Sequence, residues 1–194
     1  MPITIRTTPT APLGLHTVTI TGIGTTATRS VTFTLAIHSP SCTNPGNQFL
    51  NSGFESGEAN WAPSPGVIAQ RTDARTGTSN VLFANHRADY EMISQTVTVP
   101  TGCPFVTLSF WLRVETTEWQ PTEENDLLRL DAQTDGREYQ LAYWTSDKPT
   151  NGYQQVTIDA SRLAGRTVRV LLSSWQDASL PTRFSVDDFE LNAY

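Results

Sequence analysis

Lysine is scarce in this 194-residue chain, cysteine occurs only twice, and no apolar run approaches the roughly 20 residues that cross a bilayer as a helix. Basic residues are outnumbered, 13 against 19 acidic ones, for a formal net charge of -6. That excludes a nucleic-acid partner, because no basic patch exists to release phosphate counterions. The N-terminus lacks the basic, then apolar, then small pattern of a secretory leader, so the chain is either cytosolic or begins after one. Catalytic signatures are absent too. The three histidines, His16, His38 and His86, lie in separate segments without metal-ligand spacing, and no Gly-x-Ser-x-Gly elbow, phosphate-cradling glycine loop or Cys-x-x-Cys pair occurs. Polar side chains do gather at His86-Arg-Ala-Asp-Tyr-Glu91, but a solvated loop accounts for them, and no carboxylate pair stands out as a glycosidase couple. The expectation is a protein that is not an enzyme.

What is present points to a folded β protein. With 38% hydrophobic and 16% charged residues, the chain can bury one good core, or form one domain plus a fragment. Cys42 and Cys103 each lie in a turn-like setting, Pro-Ser-Cys-Thr-Asn-Pro and Pro-Thr-Gly-Cys-Pro, which favours a disulfide over two unrelated thiols. Such a bridge implies an oxidising compartment, hence a secreted or cell-surface protein, and the abundance of Thr and Ser agrees.

Period-two alternation marks strands at Ile3–Thr7, His16–Gly22 and Ser30–Ile37. Residues 39–48 form a linker dense in turn residues. Beyond it, strands are expected at about Asn80–Ala84, Tyr90–Val99, Phe105–Glu115, Asp126–Thr134, Glu138–Thr145, Tyr153–Asp159, Thr167–Ser174 and Phe184–Leu191, with one short helical turn near Asp159–Gly165. No long helical period appears. Strands at this spacing predict an all-β chain built as a β-sandwich or jelly roll.

Several motifs resemble those of a known family. Asn51-Ser-Gly-Phe-Glu-Ser-Gly57, Trp61, Ser94-Gln-Thr-Val-Thr-Val-Pro-Thr-Gly102, Thr107-Leu-Ser-Phe-Trp-Leu112, Leu163-Ala-Gly-Arg-Thr-Val-Arg-Val170 and Val186-Asp-Asp-Phe-Glu-Leu191 are similar to the galactose-binding-like jelly-roll modules. Those include many carbohydrate-binding modules and accessory domains of secreted bacterial hydrolases and peptidases. The resemblance covers about 49–194, and it constrains fold more than ligand. Residues 1–38, through Ala11-Pro-Leu-Gly-Leu-His-Thr-Val-Thr-Ile-Thr-Gly22, resemble the last strands of a bacterial immunoglobulin-like domain. That implies a truncated domain whose apolar face packs on a neighbouring domain of a parent chain, or pairs with another copy as a homodimer.

The jelly-roll resemblance also implies a structural calcium ion between the first and last strands, held by Glu55 and Asp187, or by Asp188 if the register differs by one. Calcium takes six to eight oxygens, so loops such as Asn51–Gly53 and Thr76–Asn80 would have to help. Alternatively, these carboxylates cap turns or pair with Arg71, Arg75 or Arg183. Trp61 reads as a core plug.

Strand parity suggests a binding face. In Val106–Glu115, Val106, Leu108, Phe110, Leu112 and Val114 share one side, leaving Trp111, Arg113 and Glu115 on the other. Likewise Arg169 and Trp175 oppose Val168, Val170 and Leu172; Trp144 opposes Tyr139, Leu141 and Tyr143; and Arg129 and Asp131 line a neighbouring strand. Aromatic rings beside charged hydrogen-bonding groups suit a carbohydrate ligand. The competing expectation is a face covered by loops or by the N-terminal strands, its charges paired internally. Trp119, in the acidic loop Glu115–Asp126, is either a ligand platform or a ring folded onto the sandwich, and that loop's carboxylates could form a second calcium site. Together these features predict a noncatalytic extracellular accessory module that binds carbohydrate or another extracellular substrate. The alternative is a structural or adhesive domain that contacts protein.

Overall fold

The computed structural model describes residues 4–8, 10–83, 90–121 and 126–194. Among these described residues, twelve strands and one short 3-10 turn, Ser161–Leu163, make up the regular structure. An isolated antiparallel hairpin comes first, β1 (Gly14–Ile23) with β2 (Thr28–Ile37). Its alternating sequence sorts Val18, Ile20, Phe33 and Leu35 to one face and a threonine ladder to the other, where Thr19 and Thr32 hydroxyls lie 3.0 Å apart. The strand expected at Ile3–Thr7 does not form over residues 4–7, which pair with neither hairpin strand. Extended conformation needs a partner ladder to satisfy its backbone, and none is supplied there.

Two antiparallel sheets form the sandwich. The larger runs β10 (Gln154–Asp159), β7 (Val106–Thr116), β12 (Thr182–Ala193), β5 (Ser79–Phe83), β4 (Ile68–Gln70), with β3 (Gly46–Asn47) also pairing β12. The smaller runs β6 (Tyr90–Thr98), β11 (Thr167–Trp175), β8 (Leu127–Thr134), β9 (Arg137–Thr145). The eight strands expected downstream of the linker all form, to within two residues at most of their ends; Ala84, His86 and the rest of 84–89 lie outside the described residues, as do 122–125 of the acidic loop. Strands β3 and β4 escape a reading by periodicity because two or three residues carry no period.

Alternation fills the space between the sheets. Val106, Leu108, Phe110, Leu112 and Val114 of β7 meet Leu128, Leu130 and Ala132 of β8 and Val168, Val170 and Leu172 of β11 in one core. Trp61 belongs to it, as expected, stacked on Phe189 at 5.7 Å and tilted against Phe49 and Phe54. Its indole N–H donates to the Asn51 carbonyl at 3.0 Å, so the polar end of the ring is satisfied. Cys42 and Cys103 form the expected disulfide, fastening the segment after the hairpin to the turn before β7.

Two β-bulges decide where key side chains point. In β12 the register shifts between Asp187 and Glu190, and Asp188 takes φ +50. The extra residue keeps Phe184, Val186, Phe189 and Leu191 in the core while both adjacent carboxylates turn toward the loop over residues 73–78. In β9 the shift falls opposite Leu130/Asp131, leaving Leu141 as the additional residue.

Candidate functional site

The outer surfaces of the two sheets differ in what covers them. On the larger sheet, Trp111 and Arg113 of β7 do point outward, as parity requires. A loop from residue 71 to 78 lies across them. The Arg75 guanidinium lies 3.6 Å from the centre of the Trp111 ring, and its Nη1 donates to Asp188 at 2.6 Å. Arg113 is ion-paired with Asp73, and its guanidinium lies 5.2 Å from the ring of Tyr153, whose hydroxyl donates to the Asp73 carbonyl at 3.2 Å. Burial alone would raise the Asp73 pKa, but the hydrogen bond and charge of Arg113, with Arg183 beside it, hold it below the ordinary value.

The loop is held by the carboxylates expected to bind calcium. Asp187 is fully buried; its Oδ2 accepts from the backbone N–H of Arg75 at 2.8 Å and Thr76 at 3.2 Å, and its Oδ1 from that of Asp188 at 2.8 Å. Desolvation pushes its pKa up against the pull of these donors. Glu55 accepts from the N–H groups of Thr78 and Ser79, bonds that draw its pKa down, Ser79 contributing most. Asn51 spends its side chain on Ser56, Gly57 and Ala59, away from this group. Asp188 accepts from the Thr76 hydroxyl at 2.6 Å as well as from Arg75, and Glu55 also from the Thr78 hydroxyl at 3.1 Å, so all four side chains are engaged by protein partners. A Cβ on Gly77 would stand 2.4 Å from the Glu55 carboxyl, and one on Gly53 would stand 3.6 Å from Asp188 Oδ1. Gly77 thus permits the close approach of its loop to the Glu55 carboxylate, which any larger residue there would block. Among the described residues, no three His, Cys, Asp or Glu side chains converge as a metal cage.

The smaller sheet carries the open face. Cross-strand register aligns Trp175 with Tyr90 and Leu127, and aligns Ser173 with Arg129, which pairs in turn with Tyr143. Tyr90 and Trp175 have ring centroids 4.9 Å apart, and the Arg129 guanidinium lies 5.1 Å from the Trp175 ring. Trp175 is 37%, Tyr90 43% and Tyr143 50% exposed, so each ring presents part of its surface to solvent. Arg129 is braced by Asp131 and Glu138, each at 2.6 Å. Burial raises the Asp131 pKa, with Arg129 opposing. Farther along β11, Arg169 donates to Ser94 Oγ at 3.1 Å and to Gln133 Oε1 at 3.2 Å beside a cavity of about 510 Å3.

The single predicted face is therefore two faces, on opposite outer surfaces. Trp111 and Arg113 belong to the covered one; Arg129, Arg169 and Trp175 to the open one. Trp144 belongs to neither. It points into the core, edge-on to Phe110 at 5.3 Å, because the bulge at Leu141 inverts the parity of the strand end and turns Tyr143 outward instead. Trp119 stands 89% exposed in its loop, not folded onto the sandwich. Sequence reasoning missed Tyr90 and Tyr143. Parity with Ile93 and Val97 was enough to find Tyr90; no residue type announces the bulge that exposes Tyr143.

No protein-family model and no curated protein sequence matches the chain. Solved structures do. A family 61 carbohydrate-binding module in complex with β-1,4-galactotriose superposes with a TM-score of 0.58 at 20% identity, over 76% of this chain and 99% of that one. A carbohydrate-binding module from the β-sandwich superfamily gives 0.51 at 13% identity, over 92% of this chain and 74% of that one. A family 28 module specific for non-crystalline cellulose gives 0.50 at 14%, over 77% and 97%. At such identities the likeness is one of fold: this chain has the jelly-roll β-sandwich of carbohydrate-binding modules.

Proposed function

We propose that this chain is a noncatalytic accessory module of a larger secreted protein and binds carbohydrate on the outer face of its smaller sheet. The observation that carries the reading is the uncovered row of Trp175, Tyr90 and Tyr143, with Arg129 braced behind it. Flat apolar rings take the C–H faces of sugars, and fixed guanidinium donors take hydroxyl oxygens. The disulfide supports an oxidising compartment. The test is retention of the purified protein on a panel of insoluble polysaccharides, cell walls and fibrous proteins. Retention on a glycan that Trp175→Ala abolishes supports the reading; retention unaffected by that change moves the site elsewhere.

A second reading, an adhesive or spacer domain that contacts protein, is favoured by the apolar hairpin face of Val18, Ile20, Phe33 and Leu35 and by bare Trp119. Self-association through that hairpin belongs to this reading. Retention on protein alone would select it.

Calcium is a further proposal, resting on Glu55, Asp187 and Asp188 as the carboxylates that join the opening turn, the 73–78 loop and the closing strand; an ion there would replace part of their protein hydrogen bonds. The ion would tie the opening turn to the closing strand and displace Arg75 from Asp188. If calcium is held there, EDTA lowers the melting temperature and added calcium restores it. A ligand at a hundredfold its Kd contributes about 2.7 kcal/mol, so an unchanged melt removes the ion from this account.

A further inference from the structure

The open face is not uniform along its length, and its two ends differ in chemistry. Trp175 and Arg169 lie six residues apart on β11, about 20 Å at strand rise, so a ligand touching both is an oligomer. At the Arg169 end the cavity is lined by Thr96, Gln133, Asp135, Arg137, Glu138 and Arg169. Its carboxylates are already matched: Asp135 pairs with Arg166, and Glu138 accepts from Arg129 Nη2 at 2.6 Å and Gln133 Nε2 at 2.7 Å. The cations are not. Arg169 holds only neutral partners, through Nε and Nη1, and the Arg137 side chain has no ion pair or hydrogen bond among the described residues. Four guanidinium groups (Arg129, Arg137, Arg166, Arg169) thus stand against three carboxylates (Asp131, Asp135, Glu138), a local excess of positive charge on a chain of net charge -6.

Resting on the glycan-binding reading of this face, we propose that the Arg169 cavity takes an anionic substituent, so that the ligand is an acidic polysaccharide. Ser94 and Gln133 fix the plane of the Arg169 guanidinium, which presents its remaining N–H groups as a fork suited to a carboxylate. A neutral sugar seated there would strip water from Arg169 and return no counter-charge, which disfavours it. A uronate carboxylate and a sulfate ester offer the same charge with different shape.

The experiment compares one backbone with and without its charge. Polygalacturonate is matched against its methyl-esterified form, with a sulfated galactan and a neutral galactan alongside, by affinity electrophoresis at low and high salt. Tighter binding of polygalacturonate than of its ester, weakened by salt and reduced tenfold or more by Arg169→Gln, is expected for a carboxylate. The same pattern for the sulfated galactan alone assigns a sulfate. Arg137→Gln, at an exposed position, supplies the equivalent reading if the Arg169 variant does not fold. Equal binding of charged and neutral forms, with both variants silent and Trp175→Ala weakening all, overturns the inference and leaves the glycan reading standing. Retention of no glycan overturns both.

Discussion

The two outer faces of this sandwich start from the same pattern and end differently. Both present an outward Trp on a central strand with an Arg over it, Trp111 under Arg75 and Trp175 under Arg129. On the larger sheet the Arg arrives from a loop whose backbone is anchored by Asp187 and whose guanidinium is claimed by Asp188, so the ring is largely covered. On the smaller sheet the Arg arrives from the adjacent strand, braced by Asp131 and Glu138, and the ring stays open beside Tyr90. An outward aromatic is a candidate site only if no loop is anchored across it, and the anchor here is a pair of carboxylates more than a hundred residues away in sequence from the loop they hold.

The largest effect should come from removing that anchor. Asp187→Ala leaves three backbone N–H groups without their acceptor, and at 1–3 kcal/mol for each buried orphan the cost should reach about 3 kcal/mol. A melting temperature lowered by roughly 6–12 °C is expected. Aromatic exposure at Trp111, read by acrylamide quenching, should rise with it; unchanged quenching would show that the loop is held by other contacts.

Trp111→Ala and Trp175→Ala sharpen the contrast. The first should cost about 2 kcal/mol of stability, through its lost cation–π partner and packing, and leave glycan retention unchanged. The second should cost little stability and abolish retention. Reversed outcomes would exchange the roles of the two faces.

Proton linkage gives the smallest signal. The Asp73 pKa is lowered in the folded state, so its contribution is present above its unfolded value of about 3.8 and is lost as pH falls through the folded value. The Asp131 pKa is raised, so folding gains stability from this group as pH falls through its folded value toward 3.8. Asp73→Asn should therefore destabilise more at pH 7 than at pH 3, and Asp131→Asn should lose the acid-side gain. Denaturant melts at the two pH values measure both, and parallel pH profiles for the two variants would contradict the assignment.

Strand positions and the inward set of β7, β8 and β11 were legible from alternation, and the disulfide from its turn settings. The site was legible only in part. Arg129, Arg169 and Trp175 lie on strands whose parity runs uninterrupted past them, so their outward direction could be read. Trp144 could not, because one inserted residue at Leu141 inverts everything beyond it and the sequence around it contains no glycine or proline to mark the place. Nor could the division into two faces: parity tells which side of its own sheet a residue occupies, and says nothing about which sheet its strand joins. The cover over Trp111 depends on Arg75, whose destination is set by a bulge at Asp188.

The bond between Cys42 and Cys103 also fixes a route for mechanical load. Tension applied across the chain from residue 38 to residue 194 passes through the sulfur bridge and enters the sandwich directly ahead of β7. Strands β3 to β6 lie in the bypassed loop, so the chain between Cys42 and Cys103 does not carry the pull in series. The 61-residue separation, at about 3.5 Å per residue, hides roughly 200 Å of contour length that only a reduced molecule would release.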